Sequence, residues 1–220
     1  MVNGGMVGGK GGRRVNERFF SLPEERQDLI RSSAMIEFGD NTFKKTSADA
    51  IAKRADISKG LLFHYFKDKR ELYLYLFQYA LDVCIGKYDY WVDYFKETDF
   101  FLALEKGHKI KMDLVRRYPG LFRFVMRAYY ERDSVLTPKL REKLDSVLER
   151  TTEDFLARMD LYKFKPGADP RQVIRMLTLV SEGMLAETGA MTAAEINALF
   201  AEYKKSADML RQFLYKEEYL

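Results

Sequence analysis

The chain has 220 residues, of which 47% are hydrophobic, and it carries 37 lysines and arginines against 33 acidic residues. No apolar run approaches the roughly 18 residues that a membrane span requires. The single cysteine, Cys84, excludes an internal disulfide, and the two histidines show no metal-ligand spacing. We therefore expect a cytoplasmic globular protein without a metal ion, a cofactor or a membrane segment.

Positive charge is concentrated in the first third of the chain. Residues 1–80 hold 14 basic and 10 acidic residues, whereas the remaining 140 residues hold 23 of each sign. A local basic excess attracts polyanions. The start, MVNGGMVGGKGGRRVNERFF, has glycines where a signal peptide would need an apolar stretch. We expect residues 1–20 to form a flexible, slightly basic tail, which either has no role or trails along DNA.

Apolar residues recur at helical spacing along the whole chain, and no alternating run bounded by turn residues predicts a strand. Ile30, Ala34 and Phe38 lie on one face of the first helix, which Gly39 is expected to end. Further helices are predicted in ADAIAKRA, KGLLFHYF, KRELYLYLFQYALDVC, DFFLALEKGHKIKMDLVRRY, PGLFRFVMRAYYE, TPKLREKLDSVLERTTEDFLARMD, RQVIRMLTLVSEGMLAETGA and AAEINALFAEYKKSADMLRQFLY. The pattern predicts an all-α fold of about nine helices.

The segment ADAIAKRADISKGLLFHYF has the spacing of a helix-turn-helix. Ala52 is small where two helices must cross, and Asp56 lies where the turn needs a positive φ, which aspartate tolerates. Ile57 and Leu62 are expected to be buried. Lys59, Phe63 and His64 would then face outwards.

An outward face of this kind has the chemistry to bind DNA. A helix in the major groove meets base edges with its N-terminal residues, so a lysine there can donate to guanine or phosphate. Apolar side chains can contact thymine methyl groups, and hydroxyl, imidazole and ammonium groups can contact phosphates. The candidate DNA-binding residues are Thr46, Ser47, Ser58, Lys59, Gly60, Leu61, Phe63, His64, Tyr65 and Lys69.

The string TSADAIAKRADISKGLLFHYFKDKREL resembles the DNA-binding segment of TetR-family transcriptional regulators. The resemblance lies in I-A-x-x-A, I-S-K-G and H-Y-F-x-x-K-x-x-L at this spacing, and it extends from LIRSSAMIEFG to about residue 80. The chain departs from the family pattern at Asp56, where the family often has glycine. It also has Leu61-Leu62-Phe63 in place of the frequent TLY, so contacts there are expected to be apolar.

The resemblance implies a three-helix helix-turn-helix head at residues 21–85 and a helical ligand-binding and dimerisation body at residues 86–220. It implies a repressor that releases a palindromic DNA operator when a small apolar molecule binds. The alternative is a helical carrier of apolar ligands without specific DNA binding. No catalytic motif is present, and we expect no enzyme.

The body contains an aromatic stretch, YDYWVDYFKETDFF, with two interpretations: ordinary core packing or the wall of a ligand cavity. Methionines adapt to varied apolar shapes, and a polar group on an apolar helix is either a partnered structural residue or a group that orients a ligand. The candidate ligand-binding residues are Trp91, Tyr94, Phe95, His108, Met112, Phe122, Met126, Tyr129, Met176 and Glu182.

The last two helices are expected to form a homodimer. Their apolar positions follow three- and four-residue spacing, and Gly183 and Gly189 remove side chains where two helices could approach closely. The alternative is that this apolar stripe packs only within the subunit.

Overall fold

The computed structural model describes residues 15–84, 95–131, 137–186 and 193–220. Ten α-helices have both ends in these ranges: α1 (Glu17–Phe20), α2 (Glu24–Asp40), α3 (Ala48–Arg54), α4 (Lys59–Tyr65), α5 (Lys69–Cys84), α6 (Phe100–Arg117), α7 (Leu121–Tyr129), α8 (Thr137–Leu156), α9 (Pro170–Ala186) and α10 (Ala193–Leu214). Short 3-10 helices follow at Leu161–Lys163 and Glu217–Tyr219. In these ranges, β-structure is limited to two isolated bridges. The all-α prediction is confirmed, and the nine predicted helices correspond to α2–α10.

Helix α1 is the element that the sequence did not predict. Val15 forms an antiparallel bridge with Phe66, and the side chain of Asn16 caps α1 by accepting from the N–H of Arg18. Phe19 is fully buried against Phe66, with ring centroids 4.8 Å apart. The expected flexible tail therefore does not extend to residue 20, because residues 15–20 pack onto the head; residues 1–14 lie outside the described ranges.

Helix α2 does not end at Gly39 as predicted. It continues to Asp40, and the N–H of Asn41 bonds to the carbonyl of Glu37 to close the last turn. Gly39 instead lies where another helix passes closely: a Cβ on Gly39 would come within 3.2 Å of the backbone nitrogen of Phe124. The glycine therefore serves packing between helices rather than helix termination.

Two hydrophobic clusters form the core. The first joins α1–α5 of the head to the α6–α8 side of the body, and Phe124 of α7 packs against both Phe38 and Tyr73 of the head at 6.1 and 5.0 Å between ring centroids. The second lies in the body and includes Phe100, Phe164 and Tyr215. Because the first cluster crosses the expected boundary at residue 85, the head and the body share one core.

The junction between α2 and α7 requires a glycine, both for its backbone conformation and for the close approach of the two helices. Gly120, just before α7, has a φ of 82°, and a Cβ there would lie 2.8 Å from the backbone nitrogen of Ile36. An ion pair between Arg123 and Asp40 connects the same two helices, and the N–H of Phe43, in the loop after α2, donates to Glu131, which follows α7, at 2.8 Å. Helix α7 is thus held tightly against the head.

Candidate nucleic-acid interface and ligand cavity

The helix-turn-helix is built by local hydrogen bonds that its sequence specifies. Ser58 caps α4 by accepting from the N–H of Leu61 at 3.1 Å, and Ser47 caps α3 by accepting from Ala50 at 3.4 Å. Asp56 has a φ of 52°, and among the described residues it is the one non-glycine with a positive φ. The N–H of Ile57 then bonds to the carbonyl of Ala52, which closes the turn.

Helix α4 has one buried face and one exposed face. Leu62 and Tyr65 are buried, whereas Lys59, Gly60, Leu61 and His64 are exposed and Phe63 is half-buried. The ammonium group of Lys59 lies 2.8 Å from a carboxylate oxygen of Asp49, but both side chains are largely exposed. Such a pair contributes little stability, so Lys59 can exchange Asp49 for a phosphate or a base.

Gly60, the second residue of α4, belongs to this exposed face and has open space beside it. A Cβ at Gly60 would meet only the Ser58 hydroxyl oxygen, at 3.9 Å, and the φ of Gly60 is not in the left-handed region. Nothing in the described chain therefore requires glycine here, although glycine in a helix costs about 0.5–1 kcal/mol relative to alanine. The missing side chain leaves room for another molecule to approach the helix backbone.

Three of the candidate DNA contacts are engaged inside the protein instead. Thr46 is 3% exposed, and its hydroxyl donates to the carbonyl of Thr42 at 2.9 Å. The ammonium group of Lys69 donates to the carbonyls of Phe43 (2.8 Å) and Thr46 (3.0 Å), so it closes the loop before α3. Tyr65 is 8% exposed because its ring packs into the core. These residues support the interface rather than face DNA.

Beside the exposed face of α4 lies a basic residue that the sequence pattern does not indicate. A guanidinium nitrogen of Arg18 lies 3.1 Å from Nε2 of His64, and both side chains are exposed. Asn16 donates from its side-chain amide to the carbonyl of His64 at 3.2 Å. A helix of four residues is too short to show helical periodicity in the sequence. The one signal for α1 is the bulky pair Phe19-Phe20 beside the basic Arg18.

A small cavity of about 80 Å³ lies in the body between α6, α9 and α10. Its lining is apolar at Leu104, Ile174 and Leu177, and polar at Thr178, Ser181, His108 and Lys111, with Gly107 and Tyr203 completing it. The cavity is smaller than the roughly 150 Å³ that accommodates a benzene.

His108 is the most unusual group in the cavity wall. It is 3% exposed, its ring stacks on Tyr203 with centroids 3.7 Å apart, and its Nδ1 lies 3.4 Å from the Ser181 hydroxyl. Its buried Nε2 has no hydrogen-bond partner among the described residues. Burial, assisted by the nearby charge of Lys111, lowers the pKa of His108 from 6.5 to about 3. The imidazole is therefore neutral and can hydrogen-bond with a neutral ligand.

The other candidate ligand residues do not line this cavity. Met112 is buried elsewhere, and Phe122, Met126 and Tyr129 are half-buried on α7. Phe95 is 48% exposed and Met176 is 44% exposed, because each points to the outer surface of the body. Of the candidate ligand residues, His108 is the described one that lines this cavity, and the rest of the set stays a prediction. Trp91, Tyr94 and the side chain of Glu182 lie outside the described residues.

An apolar stripe runs along the outer surface of α9 and α10. Met176, Leu179 and Val180 are exposed on one side of α9, and Gly183 continues that side with nothing within 4 Å of a Cβ placed there. On α10, Met209 and Phe213 are 54% and 68% exposed, four residues apart. No helix in the described ranges is both long and apolar enough to cross a membrane, and within those ranges no group of three acidic, histidine or cysteine side chains is placed to hold a metal ion.

Comparisons with known proteins agree with this geometry. Residues 30–76 match the family model of the bacterial regulatory proteins of the tetR family. An HTH-type transcriptional regulator of Staphylococcus aureus is 28% identical over 116 residues, which cover 49% of this chain and 63% of that protein. The chain therefore spans less than two thirds of the length of that curated relative.

Solved structures share the fold. A TetR family transcriptional regulator from Chloroflexus aurantiacus has a TM-score of 0.62 at 22% identity, over 93% of this chain and all of that one. The ketosteroid transcriptional regulator KstR2 of Mycobacterium tuberculosis has a TM-score of 0.68 at 15% identity, over 89% and 97%. The fatty acid degradation regulator FadR from Bacillus halodurans has a TM-score of 0.61 at 16% identity, over 82% and 96%.

The all-helical fold with an exposed second helix of a helix-turn-helix is the architecture that this chain shares with these solved transcriptional regulators. Residues 30–76 thus resemble the tetR family of bacterial regulatory proteins, and the chain shares its all-helical fold with solved TetR-family regulators.

Proposed function

We propose that this chain is a homodimeric repressor that binds a palindromic operator through α3 and α4 and leaves it when a small apolar molecule binds the body. The observation that carries the proposal is the exposed face of α4, with a glycine that no contact among the described residues requires. Lys59, Leu61 and Phe63 would meet base edges, and the capping residues Ser47 and Ser58 would meet phosphates.

The apolar stripe on α9 and α10 supports a second copy of the chain as the partner. Large apolar side chains that are exposed on two neighbouring helices favour an interaction surface over ordinary solvent exposure. Two helices from each subunit, related by a two-fold axis, build a four-helix interface. A dimer that binds adjacent turns of DNA holds its two recognition helices about 34–36 Å apart.

The cavity and helix α7 support control by a ligand. Helix α6 provides His108 to the cavity wall and ends at Arg117, close before Gly120 and α7. A ligand larger than the cavity must move α6 away from α9, and that movement reaches the head through the tight contact of α7 with α2. A ligand that binds the moved arrangement more tightly shifts the population away from the DNA-binding one, with a coupling of about 1–3 kcal/mol.

The class of ligand follows from the cavity lining. The apolar end accepts a hydrocarbon group, and neutral His108 accepts one hydrogen bond or donates one. Two proteins that share the fold are named as regulators of fatty acid degradation and of ketosteroids. Fatty acids and steroids are therefore the first compounds to examine.

Selection of genomic fragments by the purified protein tests the DNA part of the proposal. We expect recovery of a short palindrome, and the affinity for it should fall about 10³–10⁵-fold between 50 and 200 mM salt if six to ten phosphates are contacted. Recovery of no preferred fragment, together with saturable binding of fatty acids or steroids, would instead establish an apolar-ligand carrier.

The ligand part is tested with the recovered operator. Fatty acids and steroids are titrated while the emission of Trp91, the single tryptophan, and the anisotropy of labelled operator are followed together. We expect one compound class to change both signals saturably. A change in emission with unchanged operator affinity across both classes would contradict ligand control.

A further inference from the structure

Helix α1 brings an arginine to the exposed end of the recognition helix. Arg18 lies 3.1 Å from Nε2 of His64. A guanidinium group has no acceptor and stays protonated, so Arg18 must donate and Nε2 must accept. The neutral imidazole then carries its proton on Nδ1, which is a donor. The pair therefore presents only N–H donors to a molecule outside the protein.

The Arg18–His64 pair is held in place by the backbone around it. The N–H of Asn16 donates to the carbonyl of Tyr65 at 2.9 Å, and its side chain donates to the carbonyl of His64. Phe19, next to Arg18, is buried against Phe66. These contacts fix α1 and the C-terminal end of α4 as one unit, so the two donors need little ordering before they bind a ligand.

Arg18 differs from Lys59 and Arg54 in its charge environment. Lys59 pairs with Asp49 and Arg54 pairs with Glu37. In residues 15–84, 95–131, 137–186 and 193–220, no carboxylate pairs with Arg18. One of its five N–H groups contacts His64, which leaves a planar set of donors for an anion. Such a set matches the oxygens of a phosphate in a bidentate arrangement.

The position of the pair identifies the phosphate. His64 follows Gly60 by four residues, so both lie on the exposed face of α4. Seven helical residues span about 10.5 Å, and the major groove is about 12 Å wide, so the end of this face lies within reach of the DNA backbone. We infer that Arg18 and His64 together bind a backbone phosphate of the operator, with Arg18 lying outside the family match at residues 30–76.

This inference rests on the proposed DNA-binding function, and its test does not require the operator to be known. Salt dependence of binding is measured by anisotropy on a fluorescein-labelled duplex of random sequence, and on the selected site once available. Wild type is compared with Arg18→Ala, Arg18→Lys, Asn16→Ala and Arg150→Ala. Arg150 is an exposed arginine on α8 of the body, so its removal is a matched control for net charge.

Arg18→Ala should weaken binding to random and selected DNA alike, by about fivefold to tenfold, and should lower the slope of log K against log salt by about one. Arg18→Lys should retain most of the slope but lose part of the affinity, because a single ammonium group does not reproduce the guanidinium geometry. Arg150→Ala should leave both values unchanged.

An unchanged salt slope for Arg18→Ala would overturn the inference. If Arg18→Ala and Asn16→Ala then lose affinity equally, Arg18 only holds α4 in position. Thermal unfolding by circular dichroism verifies that the variants are folded. If wild type selects no site while Arg18→Ala still lowers the slope, the proposed operator binding fails but the phosphate contact stands.

Discussion

Two groups of glycines differ in the space around their missing side chains. Those at the junction between head and body are crowded, whereas those on the outer faces of α4 and α9 are open. At the junction, a Cβ on Gly39 or Gly120 would press on the backbone or side chains of the facing helix. On the outer faces, a Cβ on Gly60 would meet one distant hydroxyl oxygen and a Cβ on Gly183 would meet nothing within 4 Å. The junction glycines are therefore explained by contacts inside this chain, whereas the outer ones are not.

This difference separates internal packing from surfaces that await another molecule. The outer face of α4 combines its glycine with Lys59 and the Arg18–His64 pair, which favours a polyanion. The outer face of α9 combines its glycine with Leu179 and other large apolar residues, which favours a second copy of the chain. We therefore propose different partners for the two surfaces, although each includes a glycine.

The largest expected effect comes from breaking the apolar outer face. Leu179→Glu combined with Phe213→Glu would bury unpaired carboxylates in the proposed dimer, at a cost of about 3–5 kcal/mol or more. Both side chains are exposed in the subunit, so the variant should remain folded. We expect a helical monomer in sedimentation at micromolar concentration, with loss of binding to a palindrome.

Leu199 and Phe200 are poorer positions for this test because they are half-buried, and Phe200 stacks at 5.9 Å from His108. A doubly substituted Leu179 and Phe213 variant that stays dimeric would place the dimer interface elsewhere on the molecule.

The next largest effect is expected on the free energy of unfolding when a glycine at the junction between head and body is replaced. Gly120→Ala combines a left-handed backbone with a clash against Ile36, and we expect a loss of about 2–4 kcal/mol in the free energy of unfolding. Gly167 provides the matched control, since its φ is 87° but nothing lies within 4 Å of its missing Cβ. Gly167→Ala should lose only about 1 kcal/mol. Urea unfolding measures both, and equal losses would mean that the close approach of α2 and α7 does not matter.

The sequence predicted the head more closely than the body because the head is specified by local signals. Ser58 as a cap, Asp56 at a positive φ and Leu62 in the core follow from neighbouring residues alone, and each is found. Helix α1 was missed because its four residues are ordered by the burial of Phe19 against residues nearly fifty positions later. Local patterns contain no trace of that contact.

The side chains of the body depend on long-range packing, which spacing alone does not determine. Met176 was expected in a ligand cavity, but helical spacing cannot distinguish an apolar face that packs within the subunit from one that faces outwards. His108 was recognised as a buried polar candidate, yet its stacking on Tyr203, more than ninety residues away, required the fold.

The cavity makes a prediction about pH. His108 has its pKa lowered to about 3 in the folded chain, so the unfolded chain binds its proton first, from about pH 6.5 downwards. The contribution of the neutral imidazole to the free energy of unfolding is fully present above pH 6.5 and is lost progressively as the pH falls towards 3. We expect wild type to lose about 2 kcal/mol more than His108→Phe between pH 7 and pH 5. Urea unfolding at both pH values measures this, and identical losses would mean that His108 is not buried as a neutral group.

The smallest effect on stability, at Gly60, tests the central claim that the exposed face of α4 meets DNA. Gly60→Ala adds one methyl group to open space, so it should stabilise the folded chain by about 0.5 kcal/mol in urea unfolding. The same methyl group should obstruct close approach to DNA and weaken operator binding by about tenfold or more in anisotropy, with the dimer intact in sedimentation. A more stable variant with weaker binding is the result that the account predicts. A Gly60→Ala variant that binds the selected operator as tightly as wild type would contradict it.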